Sequence, residues 1–314
     1  MSARFLEAHG YGTARQELMQ ADASKRYTRL TGGPRGALLM QTPDADYLAA
    51  FLRVARHLDT IGVPAPAVIA VEEAQNLALV EDLGAASMAE ALDAGAEAAP
   101  LYLDAVRSMA RLHAAPAPEG LPAWDAEAMS RTAAATFLDW WWPAVFGATP
   151  SDAVRGGLHT AIRQMFAPFA ASGIVHRDFF PANLIPTPRG MALIDFQDAA
   201  IGHSIYDLVS LAADARRAVA APLRETVIRE YLALRPGVEA TSLRAAMAAH
   251  GAQRHLRVAA LWVRLERRDG KPHYLAHGPR CWALLGRALE HEAAAPLAHF
   301  LDAHVPRALR KNPA

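Results

Sequence analysis

The spacing of apolar residues changes near Ser87, and this change divides the chain into two differently patterned parts. Before it, short apolar runs bounded by glycine, proline and polar turns predict β-strands, whereas apolar residues after it recur at the three- and four-residue spacing of helices. The chain of 314 residues is also longer than one compact domain usually is. We therefore predict a bilobal α+β fold. Residues 1–83 would form a small lobe with an antiparallel sheet and one helix, and residues 84–314 a larger, mainly helical lobe.

Four strands and one helix are predicted in the smaller lobe. The helix follows Pro43 and Asp44 and ends at Gly62, because apolar residues recur at helical spacing between these positions. A turn rich in glycine and proline joins the first two strands into a hairpin. The strands are predicted at residues 26–30, 37–41, 67–71 and 77–83. Ser87 and Glu90 then form a capping-box pattern, which predicts the start of the helical part.

Composition and charge argue against several classes of protein. Acidic and basic residues balance at 32 each, and no basic stretch alternates with aromatic residues, so nucleic acid is not an expected partner. The N-terminal residues mix charged with apolar side chains, and no apolar stretch reaches about 18 residues, so neither secretion nor a membrane partner is expected. The single cysteine, Cys281, is expected to be buried and fits a reducing compartment. We expect a cytoplasmic protein; its oligomeric state is open, and a monomer fits the sequence.

One loop in the helical part contains a dense set of polar residues. Short apolar runs at residues 174–176 and 191–196 flank it; Asp178 and Asn183 lie within it, and Asp195 lies at the end of the second run. Phosphoryl transfer from ATP uses such a set. A loop carboxylate orients the attacking hydroxyl or accepts its proton, an amide oxygen holds Mg²⁺, and a strand-end carboxylate holds the metal that bridges the phosphates. Asp178, Asn183 and Asp195 match these three roles.

The same loop resembles the H-R-D-x-x-x-x-N and D-F-G segments of kinases, with Gln197 in place of the glycine. His176 is expected to brace the loop through backbone hydrogen bonds, and Arg177 to pair with a carboxylate. A His-Arg-Asp triplet alone also occurs as a turn or a cap. Its combination with two flanking strands and a strand-end Asp-Phe favours the kinase interpretation.

A nucleotide site is predicted in the smaller lobe. Glu81 and Leu83 lie where a kinase strand crosses from one lobe to the other, and there the backbone would hydrogen-bond adenine. The alternative is that Glu81 and its neighbour Asp82 merely end a surface strand.

The cation that would bind the phosphates is not obvious from the sequence. Most kinases place a lysine on the strand that corresponds to residues 37–41, and this chain has no cation there. The cations of the preceding strand, Lys25, Arg26 and Arg29, could reach the phosphates, and Arg26 and Arg29 are the favoured candidates. A solvated strand face is the alternative for both.

Several further segments look like the sugar kinases of bacterial cell-wall recycling, which are related to the aminoglycoside phosphotransferases. The matching segments are residues 22–29, 137–141, 176–183, 193–199, 206–211 and 253–279. Those enzymes phosphorylate the anomeric hydroxyl of N-acetylmuramate and N-acetylglucosamine. The resemblance implies a protein-kinase-like fold and ATP and Mg²⁺ as cofactors. It also implies Asp178 as the catalytic base and substrate contact, Asn183 and Asp195 as magnesium ligands, and Ser24 in the nucleotide site. Gln41 departs from the Asp that is usual at its position.

Contacts to the amino sugar are predicted in the helical lobe. Trp140 and Trp141 are a candidate platform for a pyranose, although an aromatic packing cluster explains them equally well. Arg254 and Arg257 could bind the carboxylate of muramate, with helix-surface charge as the alternative.

Two other functions remain open at the level of sequence. A related kinase for choline, homoserine, an aminoglycoside or another sugar would keep the same three central residues. The repeated arginine and histidine residues of the C-terminal half favour a neutral or anionic acceptor over a polyamine. A non-catalytic nucleotide-binding scaffold would explain the missing strand lysine.

Overall fold

The computed structural model describes residues 2–19, 25–84, 86–171 and 173–313. The chain forms two compact units, one made of Met1–Gly120 with His176–Ala199 and the other of Leu121–Val175 with Ala200–Ala314. The loop with Asp178 and Asp195 therefore belongs to the same unit as the N-terminal strands. The boundary between residues 83 and 84 stays a prediction.

Strands and helices follow one another along the described residues as a strand-rich segment and then a mainly helical one. The strands are β1 (Arg15–Leu18), β2 (Arg26–Thr31), β3 (Ala37–Gln41), β4 (Val68–Glu72), β5 (Leu77–Glu81), β6 (Ala123–Trp124), β7 (Gly173–Val175), β8 (Leu184–Thr187), β9 (Gly190–Leu193) and β10 (Ala200–Gly202). The helices are α1 (Ser2–Ala8), α2 (Ala45–Thr60), α3 (Met88–Asp93), α4 (Ala98–Ala114), α5 (Ala126–Ala133), α6 (Trp142–Phe146), α7 (Asp152–Phe166), α8 (Ile205–Ala212), α9 (Ala221–Leu234), α10 (Ala240–Asp269), α11 (Gly278–Ala288) and α12 (Ala295–His304). A π-helical segment, Ala134–Trp141, joins α5 to α6.

The first unit contains an antiparallel sheet in the order β1-β2-β3-β5-β4. The predicted hairpin is confirmed, since β2 and β3 pair with Arg26 opposite Gln41. The predicted helix is confirmed as α2, and the Asp44 side chain caps it by accepting the Tyr47 N–H at 2.8 Å. The third and fourth predicted strands are β4 and β5. The capping box at Ser87 is also present, at the start of α3.

Two elements at the N-terminus, α1 and β1, were not predicted. All four residues of β1 are exposed, so the strand lacks the alternation of apolar and polar residues that would have predicted it. Helix α1 contributes Phe5 and Leu6 to a core cluster that covers one face of the sheet. The sheet residues of that cluster include Leu30, Ala37, Leu39, Leu77 and Leu79.

The second unit is built around the long helix α10. Its core combines Phe137, Trp141, Leu256 and Trp262 with residues of α7, α11 and α12. A small sheet of order β6-β10-β7 completes the unit. Cys281 lies in this core as expected, and burial raises the pKa of its thiol to about 12. Within the part of the chain that the structure describes, no helix combines the length and apolar character needed to cross a bilayer.

Candidate active site

The β8–β9 hairpin brings Asn183 and Asp195 to one place in the first unit. Leu184 pairs with Leu193, and the Ile194 N–H donates to the Asn183 carbonyl oxygen at 3.1 Å. Residue 183 and residues 194–195 therefore lie at the same end of the hairpin. The Asn183 Nδ2 donates to the backbone oxygen of Asp178 at 3.0 Å, which fixes the amide so that its oxygen is the atom able to serve a metal.

His176 braces this loop, as predicted. Its Nε2 lies 3.0 Å from the Ile194 carbonyl oxygen, and its Nδ1 accepts the Asp178 N–H at 3.3 Å. A carbonyl needs a donor and an N–H needs an acceptor, so these partners select the neutral tautomer with its proton on Nε2. The imidazole thus ties the segment before Asp178 to the strand end before Asp195.

The backbone is strained at two positions in this loop. Arg177 has φ 73° and Asp195 has φ 61°, a left-handed conformation that costs a non-glycine residue about 1 kcal/mol or more. Arg177 donates from Nη1 to the Asp198 carbonyl oxygen at 3.0 Å and lies 4.0 Å from its carboxylate, so the expected acidic partner is Asp198. Phe196 stacks on Phe51 with centroids 5.0 Å apart. The stack of Phe196 on Phe51 fixes the residue that follows Asp195 and so helps to hold the left-handed backbone at Asp195.

The Asp195 carboxylate is only 35% exposed and has two side-chain partners. The Lys25 ammonium forms an ion pair with Oδ1, although Lys25 is 170 residues away in the sequence. Gln197 donates from Nε2 to Oδ1 at 3.2 Å and to the Asp198 carboxylate at 3.0 Å. The sequence did not indicate that Gln197 would connect the carboxylates of Asp195 and Asp198. It also did not indicate that Lys25, and not Arg26 or Arg29, would pair with Asp195.

A cavity of about 650 Å³ opens beside these residues within the first unit. Its volume lies in the range typical of small-molecule sites. Apolar side chains line one part of it, including Leu38, Phe51, Val80, Leu83, Ile185 and Phe196, and polar ones line the other, including Lys25, Arg29, Asp82, Asn183 and Asp195. The apolar part suits a planar base, and the polar part suits phosphate groups and a cation.

The end of β5 forms one wall of this cavity. The Asp82 carboxylate accepts hydrogen bonds from Arg29 at 2.6 and 3.3 Å, and from the Gly84 N–H at 2.9 Å. The Glu81 carboxylate accepts hydrogen bonds from the Ala67 N–H and from Arg189. Glu81 and Leu83 both line the cavity, and their contact with adenine stays a prediction.

The other predicted nucleotide contacts have different surroundings. Arg29 lines the cavity, but Asp82 already engages its guanidinium. Arg26 is exposed on β2 and does not line the cavity. Ser24 lies outside the described residues.

Asp178, which was also predicted to contact the sugar, lies in the first unit and does not line the cavity. The other predicted sugar contacts lie in the second unit. Trp141 is fully buried, stacks on Phe137 at 4.7 Å and donates its indole N–H to the Lys311 carbonyl oxygen at 2.9 Å, which favours its packing role. Trp140 is half-buried. Arg254 is buried and donates to the Tyr206 hydroxyl at 3.2 Å.

The residues present fit a magnesium ion. Mg²⁺ prefers oxygen ligands, and in phosphoryl-transfer sites it takes one or two from carboxylates and the rest from phosphates and water. Asp195 offers one carboxylate, and Asn183 offers the oxygen of its amide, so both present oxygen atoms of the kind that Mg²⁺ prefers. Among the described residues there is no cluster of three or more histidine, cysteine, aspartate or glutamate side chains that could hold a metal by themselves.

Comparison with known proteins identifies relatives over almost the whole chain. Residues 16–250 match the family described as APH, phosphotransferase enzyme family. The N-acetylmuramate/N-acetylglucosamine kinase of Caulobacter vibrioides is 32% identical, with 98% of this chain and 97% of that protein covered. The protein of the same name from Pseudomonas aeruginosa is 30% identical, with 90% and 87% covered.

Solved structures share the fold. A choline/ethanolamine kinase family protein from Mesorhizobium loti superimposes with a TM-score of 0.66 at 16% identity, over 96% of this chain and 98% of that one. The aminoglycoside phosphotransferase APH(4)-Ia gives a TM-score of 0.61 at 18% identity, over 91% and 97%. The predicted kinase-like α+β fold is therefore confirmed.

Proposed function

Because this chain belongs to the phosphotransferase enzyme family, we propose that it is an ATP-dependent kinase for the anomeric hydroxyl of N-acetylmuramate, N-acetylglucosamine or both. The observation that carries the proposal is that Asn183, Asp195 and Lys25 line the polar part of one cavity. Asn183 and Asp195 belong to the same loop segment as Asp178. The names of the relatives support the acceptor. We place the reaction in the cytoplasm, where ATP is available.

The proposed chemistry assigns a separate task to each residue. Asp178 orients the anomeric hydroxyl and accepts its proton as the hydroxyl oxygen attacks the terminal phosphorus of ATP. The bond from that phosphorus to ADP breaks, so that the products are the sugar phosphate and ADP. Asn183 and Asp195 would hold magnesium, which when bound would neutralise negative charge on the phosphates. An anomeric hydroxyl is more acidic than an ordinary alcohol, so positioning and charge neutralisation account for most of the catalysis.

A polar face of α10 in the second unit supports an anionic acceptor. Arg257 donates to the Tyr206 hydroxyl at 3.3 Å, and its guanidinium carbon lies 6.0 Å from the centroid of the Trp124 ring. Burial is the main cause that lowers the pKa of Arg264, which lies seven residues further along the helix. The positive charges of nearby arginines, including Arg257, lower this pKa further. The Nε groups of Arg257 and Arg264 are buried without an acceptor among the residues that the structure describes. Two guanidinium groups with unsatisfied Nε donors, one of them beside an aromatic ring, suit a sugar that carries a carboxylate.

A phosphoryl-transfer panel tests the proposed function. The enzyme is supplied with ATP, Mg²⁺ and one acceptor at a time: N-acetylmuramate, N-acetylglucosamine, glucosamine, choline, homoserine or kanamycin. We expect transfer to the two N-acetylated sugars, with the phosphate located at C1 by ³¹P NMR. Transfer only to another acceptor would remove the sugar assignment, and transfer to none would favour a nucleotide-binding scaffold.

Replacing Arg257 tests how the acceptor is selected. We expect Arg257→Met to raise the KM for N-acetylmuramate by about tenfold or more, since a hydrogen bond to a charged group contributes about 1.5–3 kcal/mol. The KM for N-acetylglucosamine, which has no carboxylate, should change little. Arg244→Met removes an exposed cation of the same helix and serves as the control. An equal loss for both sugars would mean that Arg257 supports packing instead.

A further inference from the structure

We propose that Lys25 is the phosphate-binding cation of this protein and replaces the lysine that β3 lacks. The inference rests on the proposed function in one respect, that the donor is a magnesium-bound nucleotide. It does not depend on which acceptor is phosphorylated.

The position of Lys25 follows from the register of the sheet. Arg26, the first residue of β2, is opposite Gln41, the last residue of β3. Lys25 therefore lies just beyond the paired part of these strands. Its side chain is only 11% exposed, its ammonium is paired with the Asp195 carboxylate, and it lies 5.9 Å from the centroid of the Tyr47 ring. A lysine this deeply buried is held at the carboxylate and is not a solvated surface group.

The other candidate cations are not held at the Asp195 carboxylate. Strand β3 has the sequence Ala-Leu-Leu-Met-Gln and provides no charge. Arg29 faces the cavity from the end near β5, where Asp82 holds it in a bidentate pair. Arg26 is exposed and is absent from the cavity wall. Of the cations that line this cavity among the described residues, Lys25 is the one in contact with a predicted metal ligand.

Bond lengths show why this contact matters for phosphate binding. A magnesium–oxygen bond is about 2.1 Å and a charged N–H···O hydrogen bond about 2.8 Å. If Mg²⁺ bound the Asp195 oxygen that pairs with Lys25, the ion would lie at most about 5 Å from the ammonium nitrogen, and phosphate oxygens on that ion would be within reach of the ammonium. An ammonium has three donors, so a bond to Asp195 is compatible with bonds to phosphate oxygens.

The test measures nucleotide binding, which requires no acceptor. Wild type and Lys25→Met are compared by calorimetry for Mg²⁺·AMP-PNP, Mg²⁺·ADP and adenosine. We expect Lys25→Met to weaken both phosphorylated ligands by about tenfold or more while adenosine binds as in wild type. Unchanged adenosine binding also shows that the variant is folded. Lys25→Arg should recover part of the lost affinity, because it keeps the charge.

Three further arms separate this role from the alternatives. Arg15→Met removes an exposed cation from β1 and should bind all three ligands normally. Arg26→Met tests the competing residue, and loss of phosphate-dependent affinity in that variant but not in Lys25→Met would overturn the proposal. A magnesium titration tests a merely positioning role. If raised Mg²⁺ restores the affinity of Lys25→Met, Lys25 acts only by holding Asp195 and the proposal is wrong.

The outcomes also distinguish this inference from the proposed function. A wild-type protein that binds Mg²⁺·AMP-PNP but phosphorylates no sugar would remove the acceptor assignment and leave Lys25 in its role. If the protein phosphorylates the sugars but its Lys25→Met variant retains full affinity for AMP-PNP, the acceptor assignment stands and the proposed role of Lys25 is wrong.

Discussion

Asp195→Asn should lower kcat by about 10³-fold, because it removes the carboxylate that we propose as a magnesium ligand, and with it a contribution to balancing the charge of the phosphates in the transition state. Asparagine has nearly the same size, so packing around Phe196 is kept and the lost quantity is charge. The substitution also removes the negative charge with which Lys25 forms an ion pair. Initial rates measured over a range of Mg²⁺ concentrations check this result, and a higher Mg²⁺ requirement should accompany the loss.

A neighbouring carboxylate provides the control for this substitution. Asp198 is three residues away in the same loop, its side chain is 63% exposed, and it does not line the cavity. Asp198→Asn makes the same change of charge and should keep most of the activity. Near-normal turnover by Asp195→Asn at ordinary Mg²⁺ would contradict the metal-ligand assignment.

Asp178→Asn should lower kcat by about 10²–10⁴-fold, the usual contribution of a general base. The backbone contacts of this residue should survive, since its N–H bonds to His176 and its carbonyl oxygen accepts from Asn183. Asp178 does not line the cavity, so the affinity for Mg²⁺·AMP-PNP should stay at the wild-type value.

Paired measurements of rate and nucleotide affinity decide this prediction. A loss in kcat and in kcat/KM by the same factor, with normal AMP-PNP binding, indicates an interaction made only in the transition state. If nucleotide affinity falls together with the rate, Asp178 contributes to the shape of the nucleotide site, and its assignment as the base is wrong.

Local patterns were enough to predict much of the first unit. Strands β2 to β5 and helix α2 were predictable because their apolar residues have regular spacing and turn residues bound them. The loop from His176 to Asp195 was recognisable because its polar residues follow the spacing of a kinase motif. Strand β1 was missed because its side chains are all exposed, so that nothing in the spacing distinguishes it from a loop.

Two features needed three-dimensional information. We propose Lys25 over Arg26 and Arg29 as the phosphate-binding cation because of its contact with Asp195. That contact joins residues 170 positions apart in the sequence, and no local pattern encodes it. The three consecutive tryptophans begin in the π-helical segment, where the winding differs from 3.6 residues per turn. Helical spacing therefore could not show that Trp141 would face the core.

The discontinuity of the first unit limits the order in which the protein can be built during synthesis. Strand β9 completes this unit through a hydrogen bond from the Leu193 N–H to the Pro64 carbonyl oxygen at 2.9 Å and one from Ser108 Oγ to the Met191 carbonyl oxygen at 2.8 Å. Residues 121–175, which belong to the other unit, are translated in between. A nascent chain in which Asp195 has not yet emerged lacks the carboxylate with which Lys25 forms its ion pair. The loop from His176 to Asp195 can therefore join the N-terminal strands only after residues 121–175 have been translated.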